Sequence, residues 1–261
     1  MTSLFGQVGI VTGAAVGIGR ALCLALAEQG VRVVALDVDD AGNRETAAVI
    51  QEAGGAVRAL RCDVSHADEV RAAIAQAVEE FGRIDLLVNN AAVWNNTTLL
   101  GGDYDEQTAA FAAAIGSCAL GSFHCAAAVA PIMARVGGGN IVNLITEHIR
   151  QGHHITGLPA TGYDCAKFSQ WRLTESWAVE LRAHKIRVNG LAFGATDTPM
   201  LRGVSVKIAE SGMHAVDVAQ AVLNIIGQGA EGPTGQVFDI GFTGTPRDTS
   251  LAQIAALAVQ T

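Results

Sequence analysis

The stretch Thr12-Gly13-Ala14-Ala15-Val16-Gly17-Ile18-Gly19 limits what this chain can fold into more than any other part of it. It follows the short apolar run Val8–Val11 and leads into Ala21–Gln29, whose apolar residues recur at helical spacing, before a second β-branched run, Val31–Leu36. Strand, glycine turn, helix, strand is a βαβ unit, which places its two strands parallel in one sheet. Glycines at such a turn adopt dihedrals closed to other residues and let the backbone approach a pyrophosphate, whose charge is favoured at the N-terminus of the next helix. Between a strand and a helix the motif points to a dinucleotide, and the absence of a Gly-Lys-Ser/Thr closure excludes a P-loop.

The alternation runs on along the chain. Helical spacing covers Gly42–Ala53, Ala67–Phe81, Asp105–Arg135, Tyr163–His184 and Ala215–Gly227, and strand-like runs occupy Val57–Arg61, Ile84–Val88, Asn140–Ile145, Ile186–Leu191 and Gln236–Ile240. The strands are near-continuously apolar instead of alternating, as expected where both faces of a parallel sheet are covered by helices. The expected fold is therefore α/β, a Rossmann-type doubly wound parallel sheet of about seven strands. One dinucleotide-binding and catalytic domain is expected to span residues 1–261, since no second domain or repeat is visible beyond the βα alternation. The apolar tail Leu251–Val259 would be costly to expose and reads as a packing or partner-contact segment.

Composition removes several function classes. Hydrophobic residues make up 50% and charged residues 16%, too apolar for disorder. A formal charge of −8 without a Lys/Arg cluster argues against nucleic acid and against heavily phosphorylated substrates. The five cysteines are scattered with no C-x-x-C pair and read as reduced thiols. No uninterrupted apolar run reaches the ~18–20 residues of a membrane helix, and the first residues lack the pattern of a signal peptide. A soluble cytoplasmic enzyme is expected, with no membrane partner. The adjacent His153 and His154 do not make a metal site by themselves, because neighbouring loop histidines usually point apart.

Asp37 ends the second strand, where a carboxylate accepts both ribose hydroxyls of NAD and repels the 2′-phosphate of NADP; no Arg or Lys stands beside Gly17 to hold that phosphate. NAD is the expected cofactor. Together with Asp63-Val64, Asn89-Asn90-Ala91-Ala92, Tyr163-Asp164-Cys165-Ala166-Lys167 and Gly194-Ala195-Thr196-Asp197-Thr198-Pro199-Met200, the glycine turn resembles the short-chain dehydrogenase/reductase family over roughly Phe5 to Ile240. The resemblance implies that Thr12, Gly13, Gly17, Ile18 and Gly19 form the cofactor turn and that Asp63 and Val64 meet the adenine. It also implies that Asn90 supports the cofactor and that Thr198 binds the nicotinamide carboxamide. A turn aspartate, a strand-end asparagine and a helix-capping threonine are the plainer roles open to Asp63, Asn90 and Thr198.

Tyr163 and Lys167 stand four apart at the start of a helical segment, so both side chains emerge on one face. A neighbouring ammonium favours the phenolate, which lets Tyr163 take an alcohol proton during oxidation and return it during reduction. The resemblance adds that Lys167 holds the nicotinamide ribose and that Thr146 takes the place of a substrate-binding serine. Thr156 and Thr161 are alternative hydroxyls.

Departures from the family pattern accompany these matches. Cys118 stands where the family has a helix asparagine, leaving a proton relay weakened or rerouted, with Ser117 the nearby hydroxyl. Phe193 replaces a proline before Gly194, and the segment from Leu201 to Met213 is a short lid, expected to close fully only with help from a neighbouring subunit.

The substrate segments are Val93–Tyr104, Glu147–Leu158 and Phe193–Met213, beyond the strand ends. Trp94, Ile155, Leu158, Phe193 and Met200 make the pocket largely apolar, and His148, Arg150, His153 and His154 add polar contacts. The expected activity is NAD-dependent interconversion of a small secondary alcohol and its ketone, in a homotetramer by resemblance. The rivals are an idle NAD-binding sensor or scaffold, a lyase or dehalogenase on the same fold, and an NADP enzyme.

Overall fold

The computed structural model describes residues 2–149 and 160–240, apart from the side chain of His148. The sequence expectations for Arg150, His153, His154, Ile155, Thr156, Leu158 and the tail Leu251–Val259 lie outside the described residues. Among the described residues are strands β1 (Val8–Thr12), β2 (Arg32–Asp37), β3 (Val57–Arg61), β4 (Leu86–Asn89), β5 (Gly139–Thr146), β6 (Ile186–Phe193), β7 (Thr196–Asp197), β8 (Met213–His214) and β9 (Val237–Ile240). Seven of them form one parallel sheet in the order β3-β2-β1-β4-β5-β6-β9, while β7 pairs with β8 outside it. The strand order reverses between β1 and β4, and there the carboxyl ends of the strands diverge to open a crevice.

Successive residues of each strand face opposite layers. Val8, Ile10, Val34, Leu36 and Leu87 pack under α3 (Ala67–Phe81), α5 (Gly121–Val136) and α6 (Thr161–Glu180). Val11, Val33, Ala35, Leu86 and Val88 pack under α1 (Gly17–Glu28), α2 (Asp40–Glu52) and α9 (Ala215–Ile226). This two-sided burial is why the strands read as continuous apolar runs. At about 1.5–3 kcal/mol for each fully buried aliphatic side chain, the two layers supply the main driving force for folding. Helix ends follow local chemistry: the Asp39 carboxylate accepts from Gly42 N at 3.1 Å at the start of α2, and α3 stops at Gly82, with φ 77°.

Two segments differ from the sequence expectation. The helix expected over 105–135 is α4 (Tyr104–Ala114) and α5 joined by a π-helical turn, Ile115–Leu120. At the end of that turn Gly121 packs so tightly on Val64 that a Cβ would lie 2.6 Å from its Cγ2, a constraint that no periodicity reveals. The whole stretch Tyr104–Val136 has a mean hydropathy of 1.5 in its most apolar part. It thus meets the length and composition of a membrane span, which counting uninterrupted apolar residues did not disclose. That part is 44% buried within the protein, however, and α5 packs on α3 and β4. The loop expected over 193–213 contains β7, α7 (Pro199–Val204), α8 (Val206–Glu210) and β8. Helices this short complete too few turns to show a repeat; their legible signals are the caps Thr198 and Ser205, with Pro199 opening α7.

The tightest approach lies between β1 and α1, where a Cβ on Gly19 would overlap the Gly13 carbonyl oxygen and come within 2.7 Å of Asn90 Nδ2. Gly19→Ala is therefore expected to lower stability by about 1–3 kcal/mol, the usual cost of overpacking. Urea unfolding checks this, and an unchanged midpoint would show that the turn has room to spare.

Candidate active site

The glycine turn is held against the end of β4 by a reciprocal clamp. Buried Thr12 accepts through Oγ1 from the backbone nitrogens of Asn90 and Ala91, both at 3.0 Å. Asn90 Nδ2 returns two bonds, to the carbonyls of Thr12 at 2.8 Å and Gly13 at 3.0 Å. Gly13 and Gly17 have φ of 68° and 56°, in the left-handed region that favours glycine. A cleft of about 380 Å³ opens above this clamp, and Gly13, Gly17, Ile18 and Asn90 line it. Thr12 and Gly19 stand behind its wall, so their part in the cradle is to fix its shape.

Asp37, Asp63 and Val64 line the same cleft. The Asp37 carboxylate is oriented by Ala15 N at 2.8 Å and Asp39 N at 2.9 Å. Asp63 accepts from Ser65 N at 2.9 Å and Ser65 Oγ at 2.7 Å, which holds it as a turn residue as well as a wall residue. Thr198 also lines the cleft, but its Oγ1 caps α7 by accepting from Leu201 N at 3.3 Å, so the plainer role is present in the structure. The segment that α7 begins carries a bidentate pair: Arg202 donates to the two carboxylate oxygens of Asp197 at 2.6 and 2.8 Å.

Tyr163 and Lys167 rise from the first turns of α6 into the cleft, and Thr146, ending β5, lines it beside them. Tyr163 is 9% exposed and Lys167 2%, with the ammonium nitrogen 5.7 Å from the centre of the tyrosine ring. Lys167 Nζ donates to the Leu144 carbonyl at 2.7 Å and to Gln170 Oε1 at 2.9 Å. Burial pushes the Tyr163 phenol well above its ordinary value, with the Cys118 and Asp164 side chains adding to the effect. Burial likewise pushes Lys167 down. The expectation that the ammonium favours the phenolate is thus outweighed by loss of water around both groups.

Trp94 and Phe193 also line the cleft, with the Trp94 ring 4.7 Å from that of Tyr163 and tilted by 55°. Thr161 is exposed at the start of α6, outside the lining, and is corrected as a stand-in hydroxyl. Ser117 lines the cleft, and its Oγ accepts from Val93 N at 3.1 Å, donates to Ala114 O at 3.3 Å and lies 3.7 Å from Cys118 Sγ. Cys118 is fully buried beside Ala114 and Ala166. The side chain that does meet Lys167 is Gln170, which sequence reasoning missed. Its signal was an amide one turn beyond Lys167 on the same helix face.

Residues 7–208 match the family model for short chain dehydrogenase. The chain is 38% identical to the short-chain reductase protein NovJ of Streptomyces niveus over 75% of this chain and 71% of that protein. It is 31% identical to a 7alpha-hydroxysteroid dehydrogenase of Escherichia coli over 91% of this chain and 93% of the relative. The fold is similar to the crystal structure of a 3-ketoacyl-(acyl-carrier-protein) reductase from Brucella melitensis complexed with NADH. The TM-score there is 0.81 at 27% identity, over 92% of this chain and 99% of that one. With its sheet order, glycine cradle and paired tyrosine and lysine, the chain belongs to the short chain dehydrogenase family of oxidoreductases.

Proposed function

We propose that this protein is an NAD-dependent alcohol dehydrogenase or ketone reductase acting on a small, largely apolar secondary alcohol or its ketone, with Tyr163 as general acid and base. The observation that carries this reading is the convergence of Tyr163 and Lys167 on a cleft whose other end is the glycine turn and Asp37. A single domain would then hold both cofactor and substrate, in the cytoplasm.

The cradle fits a dinucleotide because its turn is closed by left-handed glycines at Gly13 and Gly17 with no room for a Cβ at Gly13 or Gly19 against the clamp, and because Asp37 presents an oriented carboxylate at the end of β2. Gly13, Gly17 and Ile18 would face the pyrophosphate, Asp37 the adenine ribose, Asp63 and Val64 the adenine, and Thr198 the carboxamide. When bound, NAD supplies the acceptor for the hydride removed from the alcohol carbon. The exposed neighbour of Asp37 is Val38, which offers a 2′-phosphate no cation, and this supports NAD over NADP.

The protein's own part is proton transfer and positioning. Tyr163 Oη takes the hydroxyl proton in oxidation and donates it to the carbonyl oxygen in reduction. Thr146 Oγ1 would bind the same oxygen, and Lys167 would hold the nicotinamide ribose with the proton its two protein acceptors leave free. Trp94 and Phe193 supply apolar walls, and His148 is retained as a polar contact on sequence grounds alone.

Tyr163→Phe, which removes one hydroxyl and keeps the ring against Trp94, is expected to lower kcat by at least about a hundredfold while NAD still binds. Because burial holds the phenol protonated, alcohol oxidation should gain rate as pH rises, and ketone reduction should persist at neutral pH and below. Rate profiles in both directions check the sign. Activity in the phenylalanine variant within a few-fold of the parent would remove Tyr163 from this role. A parent that binds NAD and turns over no member of a broad alcohol and ketone panel would instead favour the idle-sensor reading.

Asp37→Ala should weaken NAD binding by about ten- to a hundredfold, the worth of charge-assisted hydrogen bonds, and affect NADP less. Fluorescence titration of both cofactors measures this; an equal loss for each would contradict the assignment. Assembly into a homo-oligomer is supported by the exposed apolar side chains Leu120 and Phe123 on the long helix and Phe168 and Val179 on α6. Light scattering should give a mass above that of one chain, and a monomer at micromolar concentration would reject the assembly.

A further inference from the structure

Lys167 is almost completely enclosed, and an ammonium in such a place keeps its charge only if its protons meet acceptors. Two acceptors are present: the Leu144 carbonyl at 2.7 Å and the Gln170 carboxamide oxygen at 2.9 Å. The ammonium has donors only, which fixes the Gln170 amide with its oxygen towards lysine and its nitrogen away. That nitrogen meets Ser122 Oγ on α5 at 2.7 Å, so the amide is gripped from both sides.

The grip continues into the sheet. Thr174 Oγ1 donates to the backbone carbonyl of Gln170 at 2.8 Å and accepts from Asn143 Nδ2 at 2.9 Å, and Asn143 Oδ1 accepts from Asn89 Nδ2 at 2.8 Å. Asn89, Ser122, Asn143, Gln170 and Thr174 are all buried. Through the backbone and side chain of Gln170, these polar contacts link the lysine to Asn143 within β5 and to Asn89 at the end of β4. The Gln170 carboxamide, bonded on both sides, is held in one orientation.

We propose that Gln170 is a positioning residue for the reaction: pinned by Ser122, its carboxamide holds the Lys167 ammonium charged and aimed at the cleft beside Tyr163. This rests on the functional reading given above. A carboxamide suits the task because it is neutral; it satisfies a proton of the lysine without cancelling the positive field that Tyr163 feels. The Gln170 amide makes from α6 the link that the Cys118 thiol does not make from the π-helical turn. Among the described residues, the titratable groups around the ammonium are Tyr163 on its own helix and Cys118 from the π-helical turn. Asp164 acts on Tyr163 from the adjoining position. The β5 strand presents the Leu144 carbonyl, and α5 presents Ser122 through Gln170.

The test reads the lysine directly. The chain's lysines are Lys167, Lys185 and Lys207, and the last two are exposed, so NMR of protein labelled at the lysine ε-carbon gives Lys167 a signal with internal standards. In the cofactor-free protein, Gln170→Met keeps the volume and removes the acceptor, and should move the Lys167 midpoint down by about one pH unit. Gln170→Glu should move it up, because a carboxylate pairs with the ammonium. Ser122→Ala, which releases only the grip, should shift it down by less, and Ser122→Thr should restore it.

In turnover, the methionine and glutamate variants should both displace the oxidation profile towards alkaline pH, since each weakens the field on Tyr163. A Lys167 midpoint that stays within a few tenths of a unit in the methionine variant overturns the proposal. Should that variant not fold, an unmoved midpoint in Ser122→Ala does the same. A moved midpoint with an unmoved turnover profile overturns the link to the chemistry. A parent without turnover on any alcohol rejects the functional reading, while the titration still decides whether Gln170 holds the lysine.

Discussion

The clamp between Thr12 and Asn90 is the contact on which the rest of the molecule depends. It joins the ends of two neighbouring strands whose following segments leave in different directions, one into α1 and the other along the wall of the cleft. Four hydrogen bonds fasten it, two accepted by a threonine hydroxyl and two donated by an asparagine amide. Because the same bonds hold the Gly13 carbonyl, the shape of the glycine turn is set by β4 as much as by its own glycines. A dinucleotide cradle built this way is rigid before any ligand arrives, which limits the ordering that binding must impose.

A second constraint acts at the far end of the cleft, where enclosure works against the ionised forms of Tyr163 and Lys167. The phenol holds its proton more tightly and the ammonium less tightly than either would in water. The Leu144 carbonyl and the Gln170 carboxamide, itself held by Ser122, give the protons of the buried lysine acceptors. Trp94 over the tyrosine ring keeps that end apolar and enhances whatever charge interactions form there.

Much of this was legible in the residues alone, for identifiable reasons. The strands were visible because burial on both faces demands unbroken apolar runs, and α3 was bounded correctly at both ends because acidic residues open it and a left-handed glycine closes it. Tyr163 and Lys167 could be paired because helical spacing is a local property. What escaped was set by distant neighbours. The π-helical turn answers to the packing of Gly121 on Val64, more than fifty positions earlier in the chain. Nothing local marks Gln170 apart from other polar helix residues, since its burial depends on α5 and Ser122, and Thr12 reads as a ligand contact although its hydroxyl faces β4. Short helices such as α7 left only their caps as a trace.

The two-sided burial of the strands has one more consequence. A slip of a single residue in any central strand would exchange the side chains serving the two helical layers, so the sheet tolerates almost no change in strand length. The segments leaving its carboxyl edge carry no such restriction and can lengthen, shorten or refold without disturbing the layers below. The architecture therefore separates what must stay constant from what is free to diversify, and a new substrate can be accommodated by rewriting the rim while the foundation keeps its register.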